Sequence, residues 1–294
     1  MKNIIPTVAI TGASGFLGVE LVNYFLSKEY RVIGLVRNAD QKSKINPLVE
    51  YREYDIENPI QESGLAGVDF LVHAAYIKYN SNQPNALKKN VEGAKNLISS
   101  AQVSKIKHTV FISTMSAHED AISVYGKQKL EIEKLFLASK NTTVLRCGLI
   151  IGNGGIVCDM AAFMKSKHAV PLIGGGVQPL QIISIRDLCI AIDHSMSDRL
   201  SGRFVAANPT VYSYRDFYRS LAHRLNIKII YIPVPYFALQ TLLKTTELLH
   251  IPLDVGADNL KGLKKLTAMP SRDDMAKLRV DPVDLQTALN DTKF

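Results

Sequence analysis

The feature that most constrains the fold is an alternation of strand-length apolar runs with helix-period segments in the first half of the chain. Runs such as TVAIT, RVIGLV and HTVFIST are separated by segments whose apolar residues recur at helical spacing. This alternation predicts a parallel sheet with right-handed crossovers and helices on both faces. FLVHA and VFIS lack polar alternation, so we predict that they are central strands buried on both faces.

The second half of the chain, from about residue 150, has a less regular pattern. IGNGGIV and IGGGVQP predict glycine-rich loops, and LQIISIRDL and GRFVAAN predict two further strands. Residues 231–294 carry little strand signal. We find no internal repeat and no obvious linker in the sequence.

Composition and charge narrow the class of protein. The 294 residues are 47% hydrophobic and 21% charged, as in soluble globular proteins. The net charge of +8 suits anionic partners such as nucleotides or nucleotide sugars. The basic residues form no arginine-rich run and do not alternate regularly with aromatics, so we do not expect a nucleic acid partner.

The termini and the cysteines exclude other classes. No apolar run reaches the roughly 18 residues that a transmembrane helix requires, and the first ten residues, interrupted by Pro6, do not form a signal peptide. We therefore expect a cytoplasmic protein. Cys147, Cys158 and Cys189 are odd in number and widely spaced, and the histidines are scattered, so we expect neither disulfides nor a metal site.

Three glycines at a spacing of three follow the first predicted strand, in ITGASGFLG. Gly12 would permit a tight turn, Gly15 would let a pyrophosphate approach the backbone, and Gly18 would let the following helix pack on the sheet. The N-terminus of that helix offers unpaired N–H groups and a positive dipole end. We predict a dinucleotide site, although a glycine-rich turn without a ligand is the alternative.

The end of the second predicted strand bears on which dinucleotide binds. An acidic residue roughly 20 residues past the glycines bonds the ribose hydroxyl of NAD, whereas an arginine there accommodates the 2′-phosphate of NADP. Arg37 occupies this place, and Lys42 and Lys44 follow. We predict NADP rather than NAD; the alternative is that Arg37 is only a solvated residue.

A Tyr-x-x-x-Lys pair, Tyr125 and Lys129, lies in a segment predicted to be helical. Residues four apart share one helix face, and an ammonium group favours the phenolate form of a nearby tyrosine. A hydroxyl at the end of the preceding strand would complete a proton-transfer site for ketone and alcohol interconversion. We choose Thr114 for that hydroxyl, with Ser113 and Ser116 as competitors.

The sequence resembles the extended branch of the short-chain dehydrogenase/reductase superfamily, the NAD(P)-dependent epimerase/dehydratase family, from Thr7 to about Asn208. The matching segments are TGASGFLG, YREYDI, DFLVHAA, NALKKNVEGAKNLISSA, YGKQK, LRCGLIIGNGG and IISIRDLCIAI. The resemblance implies a Rossmann-type doubly wound parallel sheet with a smaller C-terminal substrate-binding lobe. It assigns residues 1–146 and about 180–208 to the nucleotide-binding domain, and about 147–179 and 209–294 to the lobe.

The resemblance also implies roles for particular residues. Tyr125 would transfer the proton, Lys129 would bind the nicotinamide ribose and Thr114 would bond the substrate carbonyl, at a cleft between the lobes. The cofactor-binding residues would be Gly12, Ser14, Gly15, Phe16, Leu17, Gly18, Arg37, Asp55, Ile56, His73, Ala74, Ala75, Asn90 and Lys129. For the substrate, we predict a nucleotide-linked sugar contacted by Tyr76, Ser116 and Arg186. The alternative for Arg186 is an ion pair with Asp187 or a solvated strand end. Homodimers are common in this branch.

Three departures from the family pattern leave other functions open. Cys147 stands where the family usually has proline, and we expect a buried, inert thiol there. The stretch from Thr114 to Tyr125 is shorter than in typical sugar epimerases, so sugar specificity does not carry over. The C-terminal region also resembles atypical, non-catalytic NADPH-binding relatives of a complex I accessory subunit. The alternatives are a reductase of a small carbonyl compound and a structural or regulatory protein whose YFALQTLLKTTELLHI stretch binds a partner.

Overall fold

The computed structural model describes residues 5–39, 46–77, 85–237 and 257–294, and within them the chain forms two compact units. Unit 1 comprises Met1–Ser113, Leu130–Leu145 and Cys189–Phe204. Unit 2 comprises Thr114–Lys129, Arg146–Leu188 and Val205–Phe294. The predicted stretch YFALQTLLKTTELLHI lies almost entirely outside the described residues.

A seven-stranded sheet has the order β11-β6-β5-β4-β1-β2-β3. Its strands, numbered along the chain, are β1 (Thr7–Thr11), β2 (Arg31–Val36), β3 (Glu50–Glu53), β4 (Phe70–His73), β5 (His108–Thr114), β6 (Thr142–Cys147) and β11 (Gly202–Ala206). β1 pairs in parallel with β2 and β4, and β4 pairs in parallel with β5. The predicted parallel sheet is confirmed, and FLVHA and VFIS contribute two of its inner strands.

Helices flank this sheet, as the alternation predicts. They are α1 (Phe16–Ser27), α2 (Ala86–Val103), α3 (Val124–Leu137) and α5 (Ile185–Ser197). The core of unit 1 includes Phe111 of β5 and Phe136 of α3, whose rings stack with centroids 4.7 Å apart. Burying each such side chain stabilises the fold by roughly 1.5–3 kcal/mol.

Unit 2 combines short strand pairs with helices. Its strands are β7 (Leu149–Ile151), β8 (Ala169–Ile173), β9 (Pro179–Leu180), β10 (Ile182–Ser184), β12 (Tyr212–Ser213) and β13 (Ile230–Val234). Its helices are α4 (Gly155–Lys167), α6 (Tyr214–Leu225), α7 (Ala257–Lys264), α8 (Arg272–Lys277) and α9 (Leu285–Asn290). β10 pairs with β7 and β13 with β8, both in parallel, whereas β12 pairs with β9 antiparallel.

Buried side-chain amides tie the C-terminal segment to the rest of unit 2. The amide N–H of Met269 donates to Gln181 Oε1 at 2.8 Å, and Asn208 Nδ2 donates to the carbonyl of Val283 at 2.8 Å. Gln181 and Asn208 are both buried. Hydrogen bonds of this kind stabilise a structure most when they satisfy groups that water cannot reach.

Three local predictions were only partly right. LQIISIRDL contributes Leu180 to β9 and Ile182–Ser184 to β10, but the Ser184 hydroxyl accepts the N–H of Asp187 at 3.0 Å and helix α5 begins at Ile185. IGNGGIV leads directly into helix α4 at Gly155. Residues 231–294 contain most of a strand, Ile230–Val234, which forms because β8 offers a parallel partner along its whole length.

Candidate active site

The glycine turn of unit 1 joins β1 to α1, and its own packing requires two of the three glycines. Gly12 has φ of +70°, and its N–H donates to the carbonyl of Leu35 at 3.1 Å. A Cβ atom on Gly18 would lie only 2.1 Å from the carbonyl oxygen of Gly12. The turn and the close helix packing predicted for these two positions are therefore present.

Gly15 differs, because a side chain there would be tight against one backbone oxygen but not excluded by the backbone conformation. Its backbone is extended, with φ of −82° and ψ of 171°, and a Cβ would meet only the Gly12 carbonyl oxygen, at 3.3 Å. No side chain caps α1, and its first turn holds no acidic residue. A bare backbone at the positive end of a helix fits a dinucleotide pyrophosphate. Ser14 beside it is exposed, and Phe16 and Leu17 are half-buried.

The end of β4 is fixed to β1 by the buried hydroxyl of Thr11. The N–H groups of Ala74 and Ala75 both donate to Thr11 Oγ1, each at 3.1 Å, and the hydroxyl lies 2.8 Å from His73 Nδ1. Because both lone pairs of the oxygen are engaged, its proton goes to Nδ1, and His73 is the Nε2–H tautomer. The predicted residues His73, Ala74 and Ala75 are thus held rigidly beside Gly12, whose Cβ position is 3.2 Å from Ala75.

Asn90 of α2 holds the segment that continues from β4. Its side-chain amide accepts the N–H of Ile77 and donates to the carbonyl of Ile77, both at 2.9 Å, and the residue is 1% exposed. Asn90 therefore orders the backbone of this segment, which includes the half-buried Tyr76. This geometry agrees with the supporting role that the resemblance implies.

The remaining predicted cofactor residues lie at the ends of β2 and β3. Arg37 follows β2 directly and is exposed, whereas Lys42 and Lys44 lie outside the described residues. Asp55 accepts the N–H of Glu57 at 3.2 Å in the turn after β3, and Ile56 is buried.

In unit 2, the hydroxyl groups of Thr114 and Tyr125 are hydrogen-bonded to each other. Although Tyr125 as a residue is 37% exposed, burial raises its pKa to about 12, and the hydrogen bond with Thr114 opposes this rise. Thr114 Oγ1 also accepts the N–H of Ser116 at 3.2 Å. Tyr125 therefore holds its proton at neutral pH.

Lys129, one turn beyond Tyr125, is 6% exposed, and its positive charge acts on the Cys147 thiol. Burial raises the pKa of Cys147 to about 12, and the charge of Lys129 only partly opposes it. The expected burial of the thiol is confirmed, and its raised pKa agrees with the expectation that it is inert. Thr114, Tyr125, Lys129 and Cys147 form what we call the hydroxyl cluster.

The structure separates Thr114 from its competitor Ser113, although the two are adjacent on β5. The Ser113 hydroxyl donates to Glu133 Oε1 at 2.6 Å, and the other carboxylate oxygen lies 2.9 Å from Arg203 Nε. Glu133 is fully buried. Ser113 is therefore committed to a structural ion-pair network, and Thr114 is the strand-end hydroxyl that reaches Tyr125.

The model of the NAD dependent epimerase/dehydratase family matches residues 8–206, more than half of the chain. The chain belongs to this family. An inverting UDP-N-acetylglucosamine 4,6-dehydratase of Campylobacter jejuni is 30% identical over 194 residues, 58% of this chain and 56% of the relative. A UDP-glucose 4-epimerase of Rickettsia canadensis is 29% identical over 177 residues, 52% of each chain. This chain thus covers between half and three fifths of the length of these curated relatives.

Solved structures of the family confirm the fold. The UDP-glucose 4-epimerase of Thermotoga maritima, solved with UDP-glucose, superposes with a TM-score of 0.74 at 19% identity and covers 97% of both chains. The predicted Rossmann-type architecture and membership of an NAD(P)-dependent enzyme family are both confirmed. The individual site residues remain predictions that the geometry supports.

Two further observations concern what the described part of the chain lacks. Within residues 5–39, 46–77, 85–237 and 257–294, no group of three or more His, Cys, Asp or Glu side chains could hold a metal ion. In the same ranges, no helix is both long enough and apolar enough to cross a membrane.

Arg186 and Ser116 complete the predicted substrate contacts. Arg186 is exposed and forms no ion pair within the described residues. Its neighbour Asp187 is buried and accepts the N–H of Val283 at 3.0 Å, so the ion pair between Arg186 and Asp187 is absent, whereas the exposure of Arg186 agrees with the other alternative, a solvated residue. Ser116 is half-buried, and its carbonyl oxygen lies 2.4 Å from where a Cβ on Gly126 would stand.

Two residues that hold the candidate site were missed in the sequence. Thr11 carries a signal, since a polar residue follows the apolar run VAI immediately before the glycine turn. Glu133 carries a weaker one: it lies eight residues after Tyr125, on the same helix face, where a charged residue would need a partner. That partner, Ser113, could not be chosen from the helix alone.

Proposed function

We propose that the protein is an NADP-dependent oxidoreductase or epimerase that interconverts a ketone and an alcohol on a nucleotide-linked sugar. The observation that carries the proposal is the hydrogen bond between the Thr114 and Tyr125 hydroxyls, with the buried Lys129 one turn further along α3. When bound, the nicotinamide dinucleotide would accept or supply the hydride. Unit 1 would hold its phosphates, at Gly12, Gly15 and the N-terminus of α1.

Tyr125 would move the proton. Its pKa of about 12 keeps it protonated, which is the form that can donate to a carbonyl oxygen as hydride reaches the carbon. Oxidation of an alcohol needs the reverse step, and a nearby ammonium group favours the phenolate that accepts a proton. Lys129 would supply this charge and bind the ribose hydroxyls of the cofactor.

Thr114 would orient the substrate oxygen. Because Thr114 Oγ1 accepts the N–H of Ser116, its own proton is available to donate to a carbonyl oxygen or to Tyr125. Two hydroxyl donors directed at one oxygen stabilise the negative charge that develops there.

The substrate class follows from the relatives and from the charge. The similar proteins of Campylobacter jejuni and Rickettsia canadensis are named for UDP-linked sugars. The net charge of +8 suits a diphosphate-linked substrate, and Tyr76, Ser116 and Arg186 would contact it. We also propose a substrate-binding lobe in the second half of the chain, a cytoplasmic location and a homodimer.

The test compares Tyr125→Phe with Tyr218→Phe in assays of UDP-, dTDP- and GDP-linked sugars, following NADPH consumption and epimer formation. Tyr218 belongs to a core cluster of unit 2 that contains no member of the hydroxyl cluster. We expect Tyr125→Phe to lose roughly 10²–10⁴-fold in turnover while NADPH affinity is retained, and Tyr218→Phe to turn over normally. Unchanged turnover in Tyr125→Phe would sink its assigned role, and turnover of small carbonyl compounds alone would overturn the substrate class.

A further inference from the structure

The first turn of α3, which carries Tyr125, is held by a residue far along the chain. The N–H of Val124 donates to Asp258 Oδ1 at 2.7 Å, and the N–H of Tyr125 donates to Asp258 Oδ2 at 3.1 Å. Asp258 lies in the first turn of α7, and all of these residues belong to unit 2. One carboxylate thus binds two consecutive backbone N–H groups.

The next two N–H groups of α3 are satisfied locally, by Ser123. The N–H of Gly126 donates to Ser123 Oγ at 3.1 Å, and the N–H of Lys127 donates to the Ser123 carbonyl at 3.1 Å. A helix leaves its first four N–H groups without partners inside the helix. Ser123 and Asp258 together therefore satisfy the N–H groups of Val124 to Lys127.

Two neighbouring segments pack closely on the first turn of α3. A Cβ on Gly262 of α7 would lie 3.6 Å from the Ser123 side chain, so α7 packs directly on the cap. A Cβ on Gly126 would lie 2.4 Å from the Ser116 carbonyl oxygen, so the backbone after β5 also packs closely on this turn. The backbone of Tyr125 consequently has little freedom to shift.

An ordinary cap does not account for Asp258. Ser123, directly before the helix, already supplies the side chain that usually caps an N-terminus. Asp258 adds a second anchor from another segment, and one of its two bonds is to Tyr125 itself. A carboxylate at the positive end of a helix is also electrostatically favourable.

We propose that Asp258 is a positioning residue for Tyr125. Its carboxylate fixes the backbone of Val124 and Tyr125, and it thereby keeps the phenolic hydroxyl at Thr114. The chemical role of Tyr125 rests on the proposed function, whereas the positioning rests on the hydrogen bonds alone.

The test uses Asp258→Ala, Asp258→Asn and the matched control Asp284→Ala. Asp284 caps α9 by accepting the N–H of Thr287 at 2.8 Å, so its loss also removes an acidic cap in unit 2. In Asp258→Ala we expect hydrogen exchange at the Val124 and Tyr125 amides to accelerate about tenfold or more, because their acceptor is gone. Asp284→Ala should leave these amides unchanged. Should Asp258→Ala fail to fold, Asp258→Asn, which keeps one acceptor oxygen, carries the test.

Turnover gives the second readout. We expect Asp258→Ala to lose on the order of 100-fold in kcat with the KM for NADPH nearly constant, since a small displacement of a catalytic group is costly while the cofactor phosphates bind elsewhere. Asp258→Asn should fall between it and the parent. Equal losses of kcat in Asp258→Ala and Asp284→Ala would overturn the proposal, because they would reflect stability alone.

A third readout separates this proposal from the proposed function. The ¹³Cζ signal of Tyr125 in tyrosine-labelled protein, assigned by its absence in Tyr125→Phe, should shift in Asp258→Ala and not in Asp284→Ala. If the parent protein turns over no substrate, the proposed function fails. Hydrogen exchange at the Val124 and Tyr125 amides, together with the ¹³Cζ signal, then still decides the role of Asp258. Unaltered exchange and an unaltered signal in Asp258→Ala would refute it.

Discussion

The N-termini of α1 and α3 are built in opposite ways. α1 follows a glycine, Gly15, and has no side-chain cap and no acidic residue in its first turn. The first turn of α3 is closed by Ser123 and by the Asp258 carboxylate. The same structural element can thus be left open for an anionic ligand or closed to fix a side chain, and its local partners indicate which use applies.

The largest expected effect is on stability, when a side chain is added where α1 packs against the glycine turn. Gly18→Ala would place a Cβ 2.1 Å from the Gly12 carbonyl oxygen, and backbone atoms on both sides leave it nowhere to move. We expect the free energy of unfolding to fall by about 3 kcal/mol, measured by urea denaturation. The control is Gly262→Ala in α7, where a Cβ would have ordinary contacts at 3.6 Å and should be neutral or slightly stabilising. Equal stability of the two variants would contradict the close packing of α1 on its turn.

Giving α1 the kind of cap that α3 has should weaken dinucleotide binding at its proposed site without harming the fold. Gly15→Asp introduces a favoured capping residue at a backbone conformation that any residue adopts, so stability should hardly change. The added carboxylate and side chain would occupy the place of a phosphate, and we expect the Kd for NADPH to rise about 100-fold.

The control for this charge change is Ser27→Asp, at the exposed C-terminal end of the same helix. Fluorescence titration with NADPH measures both variants. A retained affinity in Gly15→Asp would show that the open end of α1 is not where the pyrophosphate binds.

The two ends also differ in how far the sequence predicts them. Gly12, Gly15, Gly18 and Arg37 belong to one continuous strand–turn–helix–strand unit, so local spacing is sufficient to predict their arrangement. Asp258 lies 133 residues from Tyr125 and has no spacing rule that connects it to the helix. Its partnership depends on how α7 packs on α3, which only tertiary structure shows.

The choice between Ser113 and Thr114 is a second case in which the sequence is not sufficient and a tertiary contact is needed. Both end β5, and adjacent strand residues point to opposite faces of the sheet, so the sequence leaves both as candidates. The buried Glu133 binds Ser113 from α3, which favours Thr114 as the hydroxyl that is left for the site. Similarly, the need for glycine at position 148, between β6 and β7, depends on a residue distant in sequence, since a Cβ there would lie 2.6 Å from the Gln181 carbonyl oxygen.

The smallest expected effect is on the preference for NADP over NAD, not on dinucleotide binding itself. The N-terminus of α1 would bind the pyrophosphate that NAD and NADP share. A preference between the two cofactors must therefore arise elsewhere. Arg37, at the end of β2, is exposed and could pair with a 2′-phosphate. We expect Arg37→Ala to raise the Kd for NADPH about tenfold while the Kd for NADH stays nearly constant. Lys140→Ala, which removes an exposed charge at a site without a proposed ligand, is the control. Equal losses of affinity for both cofactors in Arg37→Ala would mean that Arg37 contributes only to the overall positive charge of the protein. Tighter binding of NADH than of NADPH to the parent protein would overturn the assignment of NADP.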